Sequence, residues 1–178
     1  MTSLQRSIFD MPEEAYTDYD DSDNWYTPEK YINAVRAVMG SIDTDPASSL
    51  AAQQTVQATT YYTKETNGLD KPWCGRVWLN PPYSARLITS FITKAIAEYE
   101  QGICTEAIIL TNNYADTTWF HSLLSRYPVC FVRGRINFWR LGQHSVQNRW
   151  GQSFFYLGKN VQSFANVFSE FGIVVTRI

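Results

Sequence analysis

Several kinds of chemistry are short of material in this chain. Its three cysteines, Cys74, Cys104 and Cys130, are odd in number and far apart, so neither a disulfide framework nor paired zinc ligands are expected. They read as buried or partly buried free thiols. The two histidines, His121 and His144, lack metal-ligand spacing, which argues against metal catalysis. No apolar run approaches the ~20 residues that span a bilayer, and no basic, apolar leader opens the chain. A soluble cytoplasmic protein is expected. Charged residues make up only 18% and the formal net charge is −2, which is not the balance of a tight, non-specific nucleic-acid binder. A glycine-rich nucleotide loop is missing too, so no cofactor can be argued from that fingerprint.

Aromatic residues, by contrast, reach 15%, and the sparse charge is unevenly placed. Residues 10–23 are acidic and poor in aliphatics, and are expected to form a flexible leader over 1–23. Residues 126–149 hold Arg126, Arg133, Arg135, Arg140 and Arg149 without a single acid, so a basic face can exist on an acidic protein. The 178-residue length suits one domain, expected over 24–178.

Hydrophobic periodicity predicts the elements. A helix starts near Pro28 with Thr27 as its cap, carries Tyr31, Val35 and Val38 on one face and stops at Gly40. A short strand over 42–45 ends at Pro46, while 47–63 is too small and polar to assign. Asn67-Gly68 signals a turn. The strand 76–79 runs into Asn80-Pro81-Pro82-Tyr83, and a helix capped by Ser84 continues to about 101. A strand over 107–110, a helix over 116–125 and a strand over 128–132 extend the alternation. Strands over 136–139, 154–158 and 173–178, with a helix over 161–171, close the sheet. This β-α-β-α-β order predicts an α/β fold with a mostly parallel sheet flanked by helices, and a ligand site outside the carboxyl ends of the strands.

Asn80-Pro81-Pro82-Tyr83 is the segment that carries chemistry. An amine on an aromatic ring is a poor nucleophile because its lone pair delocalises into the ring. Two acceptors aimed at its two N–H bonds would free that pair to attack a methyl group in line. The Asn80 carboxamide oxygen and the Pro81 carbonyl can serve, with their directions fixed by the rigid diproline. Tyr83 offers a flat surface on which a base extruded from a duplex can stack.

With these residues in place, the chain resembles the phage-encoded adenine-N6 DNA methyltransferases, the small Dam-type enzymes of bacteriophages and prophages. Six segments carry the likeness in order: Trp25-Tyr26-Thr27-Pro28, Asp43-Thr44-Asp45-Pro46-Ala47, Gly68-Leu69 with Trp73 and Gly75, Leu79 to Ser84, Trp119-Phe120, and Gly134 to Phe138. The resemblance implies a Rossmann-like class I methyltransferase fold, S-adenosyl-L-methionine as donor and adenine in double-stranded DNA as substrate. It implies catalytic roles for Asn80, Pro81, Pro82 and Tyr83. Trp25, Thr27, Pro28, Asp43, Asp45, Pro46, Ala47 and Asn80 are the implied cofactor contacts, Asp45 being able to pair with the donor's ammonium. Asp45 could equally cap a turn, and Trp25 could be a core anchor. Protection of DNA from restriction in a bacterial host is the purpose the analogy suggests.

No separate target-recognition domain fits, so any sequence preference is expected to be shallow and to come from loops over 111–119 and 133–149. Arg133, Arg135, Arg140 and Arg149, interleaved with Phe138, Trp139 and Trp150, are the candidate DNA face. Solvated charge is the bland alternative, and Arg135 could instead anchor a carboxylate. Two other functions stay open: the same chemistry on cytosine N4, an RNA base or a protein glutamine, and a non-catalytic DNA-binding or host-interaction protein that retains the fold.

Overall fold

The computed structural model describes residues 25–176 apart from 141, 142 and 148, and the side chains of these residues except at 85, 140 and 143–147. The leader expected over 1–23 lies outside the described residues. Among the described residues, no helix is long and apolar enough to cross a membrane.

Seven strands form one sheet: β1 (Thr44–Asp45), β2 (Thr60–Tyr61), β3 (Gly75–Leu79), β4 (Cys104–Asn112), β5 (Val129–Val132), β8 (Gln152–Leu157) and β9 (Gly172–Val175), in the order β2-β1-β3-β4-β8-β5-β9. The helices are α1 (Glu29–Met39), α2 (Gln53–Val56), α3 (Ala85–Glu100), α4 (Thr118–Leu124) and α5 (Val161–Phe168). Alternate residues of the central strands feed two cores. Trp78, Ile108, Leu110, Phe154 and Tyr156 pack under α1 and α5, whereas Val77, Leu79, Ala107, Ile109, Phe155 and Leu157 pack under α3 and α4. Burial on both faces accounts for the continuous apolar runs of these strands.

The expected mostly parallel sheet needs correction, because the observed one is mixed. β2, β1, β3 and β4 are mutually parallel, but β4–β8, β8–β5 and β5–β9 are antiparallel. The reason is the nature of the connections. Parallel neighbours need a long crossover, usually a helix, and the β4–α4–β5 and β8–α5–β9 units have one. Between β5 and β8 the chain makes a hairpin instead, β6 (Asn137–Arg140) with β7 (Gln143–Gln147), and so re-enters the sheet in the opposite direction. The 136–139 strand therefore does not close the sheet as expected. It forms a separate two-stranded ribbon, tied to the body by the Tyr26–Trp139 bridge.

Local signals held where the pattern was strong. Helix α1 buries Tyr31, Val35 and Val38 and ends at Gly40, whose φ of +84° suits glycine. Its N-cap is Pro28 rather than Thr27, and the Thr27 hydroxyl makes no capping bond. Ser84 sits at the cap of α3, also without a side-chain capping bond. Helix α2 and strands β2 and β7 were missed, because two to five polar residues carry no readable period.

Two glycines allow close approach to the chain on either side of β1. A Cβ on Gly68 would lie 2.0 Å from the Pro46 carbonyl oxygen, and one on Gly75, at φ +76°, would lie 2.5 Å from the Asp43 carboxylate. The buried Trp73 indole donates to the Gly68 carbonyl at 2.7 Å and fixes this approach. Gly68→Ala forces backbone apart and should cost about 2–3 kcal/mol, roughly 5–10 °C in Tm by thermal unfolding. Gly102→Ala, with φ +77° but nothing within 4 Å, should cost only the left-handed strain of about 1 kcal/mol.

Candidate active site

The parallel registers bring the two polar constellations to one sheet edge. Thr44 pairs with Val77 and Leu79 with Ile109, so Asp45 at the end of β1 and Asn80 just past β3 emerge side by side. Between them lies an open cavity, with about 440 Å³ of non-atom space when the solvent at its mouth is included. Its walls include Trp25, Tyr26, Thr27, Asp45, Ala47 and Ser48, with Trp78 and Asn80 from the carboxyl end of β3.

Asn80 is oriented from two sides. Its Nδ2 donates to the Trp25 carbonyl at 3.2 Å, and its Oδ1 accepts from the Tyr83 hydroxyl at 3.2 Å. A carbonyl only accepts, so the amide nitrogen must face Trp25 and the oxygen must face the other way. The Tyr83 hydroxyl also lies 3.3 Å from the Leu110 carbonyl, which ties the turn to β4. Pro81 and Pro82 are buried, so the turn is packed from below as well as stiff in its backbone.

Asp45 is 2% exposed. Its carboxylate accepts from Gln53 Nε2 at 2.9 Å and from the Ala47 N–H at 3.4 Å, so Asp45 caps the turn and lines the cavity at once. Burial pushes its pKa up to about 7, against the opposing pull of hydrogen bonds from Ser48, Ala47 and Gln53. Among the described residues the ion pairs are Arg76–Asp43, Lys94–Glu98 and Arg126–Glu100, none of which supplies Asp45 with a cation. Thr27, 6% exposed, lines the same cavity with a buried hydroxyl that has no hydrogen-bond partner among the described residues.

Trp25, Thr27, Asp45, Ala47 and Asn80 thus meet at the cavity, and Tyr83 touches it through Asn80. Pro28, Asp43 and Pro46 are not among its lining residues. Asp43 is held in a two-point pair with Arg76, whose guanidinium keeps the carboxyl down at about 2. Sequence reasoning missed Tyr26, Ser48, Trp78 and, above all, Gln53, which no motif distinguishes from its neighbour Gln54.

Of the candidate DNA face, Arg133, Arg135 and Arg149 are exposed, and Trp139 is half-buried against Tyr26 with ring centroids 4.6 Å apart. Arg135 donates to the Gly134 carbonyl and is in none of the described ion pairs, so it anchors no carboxylate among the described residues. The Arg140 side chain lies outside the described residues.

A family model described as DNA N-6-adenine-methyltransferase (Dam) matches residues 14–169 of this chain. The chain belongs to this family. The match spans every residue around the cavity. A DNA N-6-adenine-methyltransferase of Escherichia phage T1 is 36% identical over 101 residues, covering 55% of this chain and 39% of the length of that protein. In this Dam family member, Gly68 and Trp73 support the loop after Asp45, and Gly75 leaves room for the Asp43 carboxylate.

The buried carboxylate generates a pH signature. Because the native state raises the Asp45 pKa, it binds a proton between about pH 4 and 7 that the unfolded chain releases, so this group's contribution to stability is lost as pH rises through that window. Asp45→Asn removes this dependence. In the free protein it should be more stable than wild type above pH 7 by roughly 2–4 kcal/mol, and equal to it near pH 4, by urea unfolding across pH.

Proposed function

We propose that the protein transfers a methyl group from S-adenosyl-L-methionine to the exocyclic N6 amine of adenine in double-stranded DNA, on a Rossmann-like methyltransferase fold. The observation that carries this reading is the Asn80 carboxamide, turned so that its oxygen faces away from the Trp25 carbonyl at the wall of a cavity that also holds a buried carboxylate. Membership of the Dam family supports it.

The cavity residues fit the donor. Asp45 would pair with the donor's ammonium, which relieves the charge burial that otherwise raises its pKa. The unpartnered Thr27 hydroxyl would meet a polar group of the same moiety, while Trp25 and Ala47 would flank it. Pro28 and Pro46 shape the two wall segments, and Asp43, locked to Arg76, would serve from behind. When bound, the donor supplies a methyl group on a sulfonium, open to direct in-line attack.

The chain's own groups prepare the nucleophile. Asn80 Oδ1 and the Pro81 carbonyl would accept the two N–H bonds of the extruded adenine, drawing the nitrogen lone pair out of conjugation. Tyr83 would release its bond to Asn80 and stack on the base, with Pro82 keeping the turn rigid. The neutral amine needs no base before transfer.

Asn80→Ala should lower kcat by about 10²–10³-fold or more, with a smaller effect on donor affinity by calorimetry. Mass spectrometry of nucleosides from cells expressing wild type or Asn80→Ala should find N6-methyladenine only with wild type. Label in cytosine, RNA or protein instead would reassign the substrate, and DNA binding without donor binding would make the protein non-catalytic. If Arg133, Arg135, Arg140 and Arg149, with Trp139, contact the duplex, raising salt from 50 to 200 mM should weaken DNA binding by a factor of at least ~10 in a fluorescence titration. A flat response would move recognition elsewhere.

A further inference from the structure

The aromatic residues around the arginine-rich segment have different environments. Phe138 is buried at 3% exposure and Trp139 packs on Tyr26, but Trp150 is 53% exposed. It stands at the carboxyl edge of the sheet. The β4–β8 ladder runs through Asn112–Gln152 and continues as a bond from the Asn113 N–H to the Gly151 carbonyl at 2.8 Å. Trp150 follows directly beyond. From Asn80, beside Leu110, two strand spacings across the sheet and about four residues along it put the two backbones roughly 15 Å apart.

The exposed ring is braced. It meets Tyr114 edge-on with centroids 5.4 Å apart, and Tyr114 in turn meets Trp119, buried on α4, at 6.3 Å. The Trp150 carbonyl accepts from the amide of the fully buried Gln152, which also accepts the Ile136 N–H. A rigid ring half out in water loses little entropy when something covers it. Its surroundings are cationic: Arg149 precedes it and is exposed, and the Arg135 guanidinium comes within 3.6 Å of where a Cβ on Gly151 would sit. Arg126, by contrast, is engaged with Glu100.

A flat apolar ring flanked by guanidinium groups matches a nucleobase between phosphates. We infer that Trp150 stacks on a DNA base beside the target nucleotide while Arg135 and Arg149 hold the neighbouring phosphates, so that the extruded base is directed towards Asn80. A base drawn out of a duplex leaves its neighbour unstacked, and an inserted ring replaces the lost contact. The inference rests on the DNA methyltransferase reading and adds a positioning residue to it.

The test compares full-length wild type, Trp150→Phe and Trp150→Ala on duplex DNA, with labelled S-adenosyl-L-methionine for transfer, calorimetry for donor affinity and tryptophan emission for DNA binding. Trp150→Ala should raise KM for DNA roughly five- to a hundredfold at unchanged donor affinity, with Trp150→Phe recovering most of the loss. DNA should quench wild-type emission more than that of either variant. An unchanged KM in Trp150→Ala, with wild-type transfer to DNA intact, would overturn the inference alone. If wild type transfers no methyl to DNA, the functional reading and this inference fall together.

Discussion

A carboxylate buried at the end of a two-residue strand constrains much of what surrounds it. Asp45 cannot be carried into the interior without donors, and donors must come from a chain that turns back at once. The segment after it does so: Ala47 supplies a backbone N–H, Ser48 a hydroxyl and Gln53 of α2 a side-chain amide. Gln53 is itself anchored, its Oε1 accepting from the Ala58 N–H at 2.8 Å. Gly68 and Trp73 close on Pro46 from below. A loop of small polar residues is thereby turned into a defined cavity wall without the glycine-rich geometry used by many nucleotide-binding folds.

The second wall depends on the first through the sheet. Because β1, β3 and β4 are parallel and in register, Asp45 and Asn80 leave the sheet at the same edge, and Trp78 lies beneath the cavity they share. The Asn80 amide then reaches across to the Trp25 backbone, so the segment preceding α1 is bound to the turn that follows β3. One hydrogen bond both sets the direction of a carboxamide and closes the rim. A change in either partner would be felt by the other.

The reversal of β8 serves the surface. Running antiparallel to β4 and β5, it starts at the edge where those two strands end, so Trp150, Gly151 and Gln152 lie at the same edge as the cavity. The β6–β7 ribbon that makes the reversal stands on the same side and joins the cavity through Tyr26 and Trp139. Mixed topology thus concentrates the aromatic and arginine-bearing segments near the cavity, which a helical crossover at this point would have carried away.

Much was legible from residues alone. The long amphipathic period of α3, the apolar runs of β3 and β4, the glycine stop of α1 and the Asn80–Tyr83 turn follow from local preferences that tertiary contacts reinforced. Asp45 and Thr27 could be named as cavity residues because the family pattern marks them. Other features depended on partners distant in the chain. Gln53 differs from Gln54 only in what it meets, the Thr27 hydroxyl lacks a capping role only because Pro28 takes the cap position, and Phe138 is buried while Trp150 is exposed because of what the fold packs over each. Strand direction belongs with these. Sequence sets which residues prefer to be extended or buried, but hydrogen-bond pairing between remote strands decides their sense, and that pairing exists only once the chain has folded.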